Sequence, residues 1–148
     1  MNNFREKRGC QKGICASFGW NPQIAGSIVQ GQTVPFNQVI TNASKNCCDL
    51  DIKLNVGTGE IFIKDEGVYL INVDANVTLA VDEILTLTDG NGKSIDIPLY
   101  TNGSASRCMF VKCNSIVKLT NIHTTQIPYT IGTDLSEPIV AITIVKLQ

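Results

Sequence analysis

Six cysteines are the residues of this chain whose type and spacing offer the most chemistry. They are Cys10, Cys15, Cys47, Cys48, Cys108 and Cys113. The first pair and the last pair share a C-x4-C spacing, and the middle two residues are adjacent. Cysteines in such a set act as disulfide partners, as metal ligands or as small buried hydrophobic side chains.

The cysteine spacing argues against a metal site. Residues five apart in one strand point to opposite faces of a sheet, and so do adjacent residues. Cys108 and Cys113 therefore cannot easily bind one metal ion from a single strand, and the same holds for Cys47 and Cys48. We expect no metal and no other cofactor. Disulfides, some of them between subunits, are the favoured interpretation, at about 2–4 kcal/mol each, and buried free thiols are the alternative.

The other candidate catalytic or ligand-binding residues have simpler interpretations. His123 lies in a polar stretch without an orienting acid or oxyanion-loop glycines nearby in sequence, which favours a surface histidine over a nucleophilic pair with a cysteine. Asp89-Gly90-Asn91-Gly92-Lys93 begins like a calcium loop but lacks the later ligands, which favours a hairpin turn. We therefore expect no catalytic residue and no enzyme activity.

Charge and hydropathy limit the kinds of partner that the protein can bind and indicate where it is found. Twelve Lys and Arg against thirteen Asp and Glu give a net charge of -1, which leaves no basic field for nucleic acid. No apolar stretch approaches the length of a membrane span, so we expect no membrane partner. Arg5, Lys7 and Arg8 precede no apolar run, which predicts synthesis without a secretory signal. Together with the cysteines, this pattern is typical of spore-surface and virion proteins.

The run from Tyr69 to Leu79 organises the fold. Its alternate positions are apolar, and the residues between them are Asn, Asp or Thr along most of its length. A side-chain period of two predicts a strand with one buried face and one solvent-exposed face. The buried face needs a second sheet to cover it. The core and interface candidates in this run are Tyr69, Ile71, Val73 and Val77.

The rest of the chain continues the β pattern, with turn signals every 8–12 residues and no helical window. The last strand, Ile139 to Leu147, is apolar on both faces, which places it in the middle of a sheet and adds Val140, Ile142 and Ile144 to the core and interface candidates. We predict an all-β antiparallel sandwich, a jelly roll of roughly eight to ten strands over residues 21–148. Residues 1–20 lack periodicity and are predicted to form a connector arm.

Two segments carry a resemblance to a known superfamily. Residues 59–71, Gly-Glu-Ile-Phe-Ile-Lys-Asp-Glu-Gly-Val-Tyr-Leu-Ile, resemble the core motif of tumour-necrosis-factor and complement globular heads. Residues 141–147 are similar to the closing strand of the bacterial branch, which includes the heads of collagen-like exosporium glycoproteins of spore formers (the BclA type). Val34-Pro35-Phe36-Asn37 is similar to the opening of those domains. The resemblance implies a ten-stranded jelly roll packed as a trimer around apolar strand faces, with assembly or binding roles.

The sequence departs from that branch by lacking a Gly-X-Y collagen stalk and by carrying six cysteines. A subunit of a fibre, such as an endospore appendage, fits this departure better than the tip of a collagen filament. We therefore predict a structural protein whose partner is itself, as a trimer, a ring or a filament, together with other spore-surface proteins. Its arm would bridge subunits through Cys10 and Cys15. The alternatives are a virion fibre or decoration protein and a trimeric head that binds glycans or a receptor.

Overall fold

The chain folds into β-strands. The computed structural model describes residues 14–42, 51–76, 83–131 and 137–147, and these residues contain strands and turns but no helix. The strands are β1 (Cys15–Trp20), β2 (Gly26–Val29), β3 (Gln38–Asn42), β4 (Ile52–Asn55), β5 (Glu60–Ile63), β6 (Gly67–Ala75), β7 (Glu83–Thr88), β8 (Ser94–Leu99), β9 (Ser104–Val111), β10 (Ser115–Thr120), β11 (Gln126–Tyr129) and β12 (Val140–Lys146). No helix in this part of the chain is long and apolar enough to cross a membrane.

Two five-stranded sheets make the sandwich. The first sheet has the order β3-β1-β12-β6-β9, and the second has the order β4-β5-β10-β7-β8. A small third sheet pairs β11 with β2. Each pair of neighbouring strands is antiparallel. The predicted all-β antiparallel jelly roll is therefore confirmed, with twelve strands in the described residues where roughly eight to ten were predicted.

The core lies between the two five-stranded sheets. Along β6 the buried positions alternate with more exposed ones, and Tyr69, Ile71 and Val73 are almost completely buried. The second sheet contributes Ile61 and Ile63 from β5 in the same alternating way, and it also contributes the buried side chains of Leu85 and Leu87 from β7. Each buried aliphatic side chain stabilises the fold by about 1.5–3 kcal/mol relative to an exposed one.

The core and interface candidates point into this core. Six of them are at most 2% exposed in the single chain: Tyr69, Ile71, Val73, Val140, Ile142 and Ile144. Since these side chains already pack inside their own chain, they are not available to a neighbouring subunit, and the interface part of their predicted role needs correction. Val77, the remaining candidate, lies outside the described residues.

The last strand lies in the middle of the first sheet, as predicted, because β12 pairs with β1 on one side and β6 on the other. Its two faces differ. Val140, Ile142 and Ile144 are buried, whereas Ala141 and Val145 are half-buried on the opposite side. The β12 face that points away from the core is therefore accessible to another molecule.

The predicted arm needs a correction at its C-terminal end. Cys15–Trp20 form β1, which pairs with β12 and β3 inside the first sheet. Ala16, Phe18 and Trp20 point into the core, which explains why this short segment is held in place. The sandwich therefore includes residue 15 and does not start at residue 21. The predicted connector over residues 1–13 lies outside the described residues and stays a prediction.

The Tyr69 hydroxyl provides a test of the core. It donates a hydrogen bond of 2.6 Å to the backbone carbonyl of Asp65, and burial raises the pKa of Tyr69 well above its usual value, with the Asp65 and Asp51 carboxylates adding to the effect. We expect Tyr69→Phe to lower the free energy of unfolding by about 1 kcal/mol, since a part-buried carbonyl loses its partner. Urea denaturation measures this change.

The matched control is Tyr100→Phe. The Tyr100 side chain is 41% exposed and lies just after β8, so removing its hydroxyl should change the free energy of unfolding by less than about 0.5 kcal/mol. Equal effects of the two substitutions would mean that the Tyr69 hydrogen bond does not contribute to stability.

Candidate functional site

One surface differs from the rest of the described structure: the side of the first sheet that points away from the core. We call it the outer face. We define it by alternate residues of four of the five strands, β1, β12, β6 and β9: Cys15, Ser17, Gly19, Val68, Leu70, Asn72, Asp74, Ser104, Ser106, Cys108, Phe110, Ala141, Thr143 and Val145. The strand register arranges most of these residues in rows that run across the sheet.

The outer face is almost without charge. Asp74, near one end, is the single charged residue in the set that defines it. The corresponding side of the second sheet carries Lys53, Glu60, Lys118 and Asp96 on its described strands. Interfaces between proteins are depleted of charge at their centre, whereas solvated sheet faces carry charged side chains. The outer face is therefore the better candidate for contact with another protein.

A polar row in the middle of the outer face is paired within itself. The Ser17 and Thr143 hydroxyls lie 3.1 Å apart on neighbouring strands, and the Ser106 hydroxyl donates a bond of 2.7 Å to Oδ1 of Asn72. Polar groups that already have a partner lose less free energy when a second surface covers them. This row could not be identified from the sequence, because alternating polar residues in a strand also indicate contact with water.

An apolar row lies next to the polar one. It runs across four strands through Cys15, Val145, Leu70 and Cys108. Towards the end of the sheet it is followed by Val68, which pairs with Phe110, a ring that is 41% exposed. Apolar surface of this kind gains free energy when it is removed from water, so this end of the outer face favours association.

The described cysteines are free thiols. Cys15 is half-buried, while Cys108 and Cys113 are exposed. Cys108 lies on β9, and Cys113 lies in the turn that follows it. Cys10, Cys47 and Cys48 lie outside the described residues, so their predicted cross-links stay predictions. No group of three or more His, Cys, Asp or Glu side chains in the described residues is placed to hold a metal ion.

His123 is hydrogen-bonded to a carboxylate at the surface. Its Nε2 lies 3.1 Å from Oδ1 of Asp96, and the same carboxylate oxygen accepts a bond of 2.9 Å from the Thr86 hydroxyl. These two hydrogen bonds, the one to His123 first, lower the pKa of Asp96. Next to His123, Thr124 donates a bond of 2.7 Å to Glu83. The contacts of His123 and Thr124 therefore hold the segment after β10 against the second sheet.

Acid should weaken this contact. Because the folded-state pKa of Asp96 is lowered from 3.8, its contribution to stability is complete above that value and is lost as the pH falls through the folded pKa. We expect Asp96→Asn to reduce the loss of stability as the pH falls below 3.8, measured by urea denaturation, by a small amount because the contact is exposed.

Glu66→Gln is the control for that experiment, since Glu66 is an exposed carboxylate in the turn before β6. This substitution removes one carboxylate from the surface and keeps the contact between His123 and Asp96. If Asp96→Asn and Glu66→Gln give the same profile, the His123 contact does not contribute to acid sensitivity.

The Asp89 segment is a hairpin turn, as predicted. It joins β7 to β8, and Oδ1 of the buried Asp89 accepts bonds from the backbone N–H groups of Asn91, at 2.8 Å, and Lys93, at 3.2 Å. The Asn91 side chain also donates a bond of 2.9 Å to the Ser115 hydroxyl. The Asp89 carboxylate therefore stabilises the turn by accepting hydrogen bonds from its backbone N–H groups.

The aromatic side chains give less support to a ligand-binding head. Trp20 is 4% exposed and packs edge-on against Tyr129, with ring centroids 4.6 Å apart. Phe62 lines a shallow, open depression of about 370 Å³ on the second sheet, together with Lys53, Leu54, Asn55, Glu60 and Ile116. The rings of Trp20, Tyr129 and Phe62 therefore do not form one exposed cluster of the kind that a glycan-binding rim requires.

Comparison with protein-family models and with curated proteins finds no match to this sequence. Solved structures do match. The chain is similar to the Eiger tumour necrosis factor of S. frugiperda, with 15% identity, a TM-score of 0.67 and coverage of 91% of this chain and 92% of that chain. It is also similar to the globular domain of zebrafish complement 1qA, with 15% identity, a TM-score of 0.54 and coverage of 90% and 94% respectively.

A third match is the PRD1 vertex protein P5. It shows 13% identity, a TM-score of 0.55 and coverage of 93% of this chain and 100% of that chain. At this level of identity the similarities show the fold alone. The chain has the jelly-roll fold of the tumour-necrosis-factor and complement globular heads, which confirms the coarser part of the predicted resemblance.

Proposed function

We propose that this protein is a non-enzymatic structural subunit that assembles with copies of itself through the outer face of its first sheet. The observation that carries the proposal is the near absence of charge from a face whose central strands are half-exposed. When two copies associate through the same face, the charges on that face meet charges of the same sign. A face almost without charge avoids this repulsion.

The energetics of the face support the same proposal. Covering Val145, Leu70 and Val68 removes apolar surface from water, at about 25 cal/mol per Å². The neighbouring hydroxyl and amide groups keep their mutual bonds when they are covered, because those bonds are made within one copy. Assembly through this face therefore gains from apolar burial without a large penalty from unpaired polar groups.

We propose that the assembled form is a spore-surface or other extracellular filament or layer. The cysteine content supports this, since disulfides persist in oxidising surroundings. A connector over residues 1–13, carrying Cys10, would join successive assemblies. Because Cys15 lies within β1, it belongs to the sandwich and not to the connector.

A virion subunit is the second candidate. It is supported by the similarity to the PRD1 vertex protein P5, which covers 93% of this chain. Immunogold labelling of intact spores and of purified virions from the source organism separates the two candidates, because only one kind of particle would carry the protein.

Mass measurement tests the proposed assembly directly. Native mass spectrometry and gel filtration of the purified chain, in the presence of a reductant, should show an oligomer of fixed stoichiometry. Negative-stain electron microscopy of the oxidised protein should then show filaments or extended layers. A monomer at micromolar concentration in both reducing and oxidising buffer would contradict the proposal.

A further inference from the structure

Two cysteines lie in the same row of the outer face. Cys15 pairs with Val145, Val145 pairs with Leu70, and Leu70 pairs with Cys108, so the two thiols stand at opposite ends of one line across four strands. Cys108 is exposed and Cys15 is half-buried, and both are free. Their placement on one row depends on the sheet order and not on their separation in the sequence.

These two cysteines cannot bond to each other within one copy. They are three strand spacings apart, which corresponds to roughly 14 Å between Cα atoms. A disulfide requires Cα atoms closer than about 7 Å. Any disulfide that joins this pair must therefore connect two copies of the chain.

The row also fixes which symmetry can bring the pair together. Residues in one row lie at about the same level along the strand direction. A rotation about an axis parallel to the strands does not change the position of a residue along the strand direction. It therefore places Cys108, on the β9 side of one outer face, at the same level as Cys15, on the β1 side of the next. A two-fold axis perpendicular to the face instead places one edge strand against its own copy.

We propose that an inter-copy disulfide joins Cys15 of one subunit to Cys108 of the next, so that a ring of subunits is closed covalently through the outer face. This inference deepens the proposed function and rests on it. Each subunit supplies one thiol to each of two neighbours, so a complete ring has as many disulfides as subunits. The ring then has no free end.

The chemistry is an oxidation by a small-molecule disulfide such as oxidised glutathione. The thiolate of one cysteine attacks the reagent and forms a mixed disulfide, which releases one glutathione thiolate. The thiolate of the neighbouring subunit's cysteine then attacks the mixed disulfide, the protein S–S bond forms, and the second glutathione leaves. Two protein thiols lose two electrons and two protons in total, and one glutathione disulfide is reduced to two thiols.

Cysteine variants test the link. The oligomer is purified under reducing conditions, treated with oxidised glutathione and run on non-reducing gels. We expect the unmodified chain to give a closed band at the size of the native ring, together with multiples of that size where Cys10 joins successive rings. Cys15→Ser and Cys108→Ser should each reduce that band at least tenfold. Cys113→Ser, a change to an exposed thiol in the turn after β9, should leave the ring band unchanged. Cys10→Ser should also keep the ring band but remove its multiples, because Cys10 is proposed to join one ring to the next.

A mixture of the two single variants gives a sharper result. The Cys15→Ser variant keeps Cys108, and the Cys108→Ser variant keeps Cys15. When subunits of both variants exchange into common rings, a disulfide can form only between a Cys15→Ser subunit and a neighbouring Cys108→Ser subunit. Linked dimers should then appear, without a closed ring band. Peptide mapping of those dimers should recover a Cys15–Cys108 disulfide.

Several results would overturn the link. They are a closed band that survives either single variant, a peptide map with Cys15–Cys15 or Cys108–Cys108 disulfides, and a reduced ring that stays uncrosslinked after oxidation. In the last case the ring itself is intact, so self-assembly stands and only the disulfide fails. A chain that is monomeric before oxidation and remains so after it contradicts self-assembly, and the disulfide proposal fails with it.

Discussion

Gly59→Ala should lower the free energy of unfolding by about 3 kcal/mol or more, the largest effect that we expect from adding one methyl group. Gly59 has a φ of +78°, a conformation that costs an alanine about 1–2 kcal/mol. A Cβ at this position would also overlap the backbone carbonyl oxygen of Val34 and lie 2.9 Å from its carbonyl carbon.

The obstructing backbone cannot move away easily. Val34 is completely buried, and its N–H donates a bond of 2.8 Å to the carbonyl of Leu119 on β10. The N–H of Gly59 itself donates a bond of 3.1 Å to the carbonyl of Asn55, which holds the turn between β4 and β5. Relief of the overlap would therefore break a contact on one side or the other, and overpacking of this kind costs about 1–3 kcal/mol.

Gly57→Ala is the matched control. Gly57 lies in the same turn with a φ of +98°, and a Cβ there would meet nothing within 4 Å. Its substitution should carry the backbone cost alone, about 1–2 kcal/mol. Urea denaturation followed by the fluorescence of Trp20, which is 4% exposed, measures both variants. If the two variants are equally stable, the close approach of Gly59 to Val34 is wrong.

The strands with strong alternation could be predicted from the sequence. Glu60–Ile63 and Gly67–Ala75 have the predicted alternation, since a buried face facing a second sheet requires a period of two. The central position of the last strand followed from apolar residues on both of its faces. These features depend on neighbours in the sequence, which is why the sequence alone revealed them.

Strand β1 could not be predicted as easily. Cys15–Trp20 contains the alternating apolar set Ala16, Phe18 and Trp20, but the strand is short and a glycine lies between the last two. That alternation was the signal that could have identified it. Because glycine and small residues weaken a strand pattern, the segment resembled an irregular terminus.

The composition of the outer face could not be predicted at all. Cys15 and Cys108 are 93 positions apart in the sequence, and they share a row because β12 and β6 lie between β1 and β9 in the sheet. Sheet order is decided by long-range packing and not by local propensity. The pairing of Ser17 with Thr143 depends on the same long-range register.

Two substitutions on the last strand should separate folding from assembly. Ile144 is completely buried between the sheets, whereas the adjacent Val145 is half-buried on the outer face. We expect Ile144→Asp to lower the free energy of unfolding by more than about 4 kcal/mol, since it removes a core side chain and places a carboxylate without a partner among apolar groups. Much of the protein should then be unfolded, as seen by circular dichroism.

Val145→Asp should have the opposite profile. Its carboxylate can reach water in the single copy, so the circular dichroism spectrum should be retained with a loss of stability of about 1 kcal/mol. In the assembly the same carboxylate would be covered without a partner, beside Leu70. Because an unpaired buried charge costs several kcal/mol, the oligomer seen by native mass spectrometry should become a monomer. Val145→Thr, which keeps the shape without the charge, should retain both the fold and the oligomer.

The comparison of the two aspartate variants shows which face of β12 is needed for folding and which is needed for assembly. A folded and assembled Ile144→Asp protein would mean that the register between β12 and β6 is wrong, since Ile144 pairs there with the buried Ile71. A Val145→Asp protein that assembles normally would remove the outer face as the interface, although the sandwich itself would stand. Because the two residues are neighbours in the chain, local differences in strand propensity cannot explain opposite outcomes, and only the two faces of the sheet can.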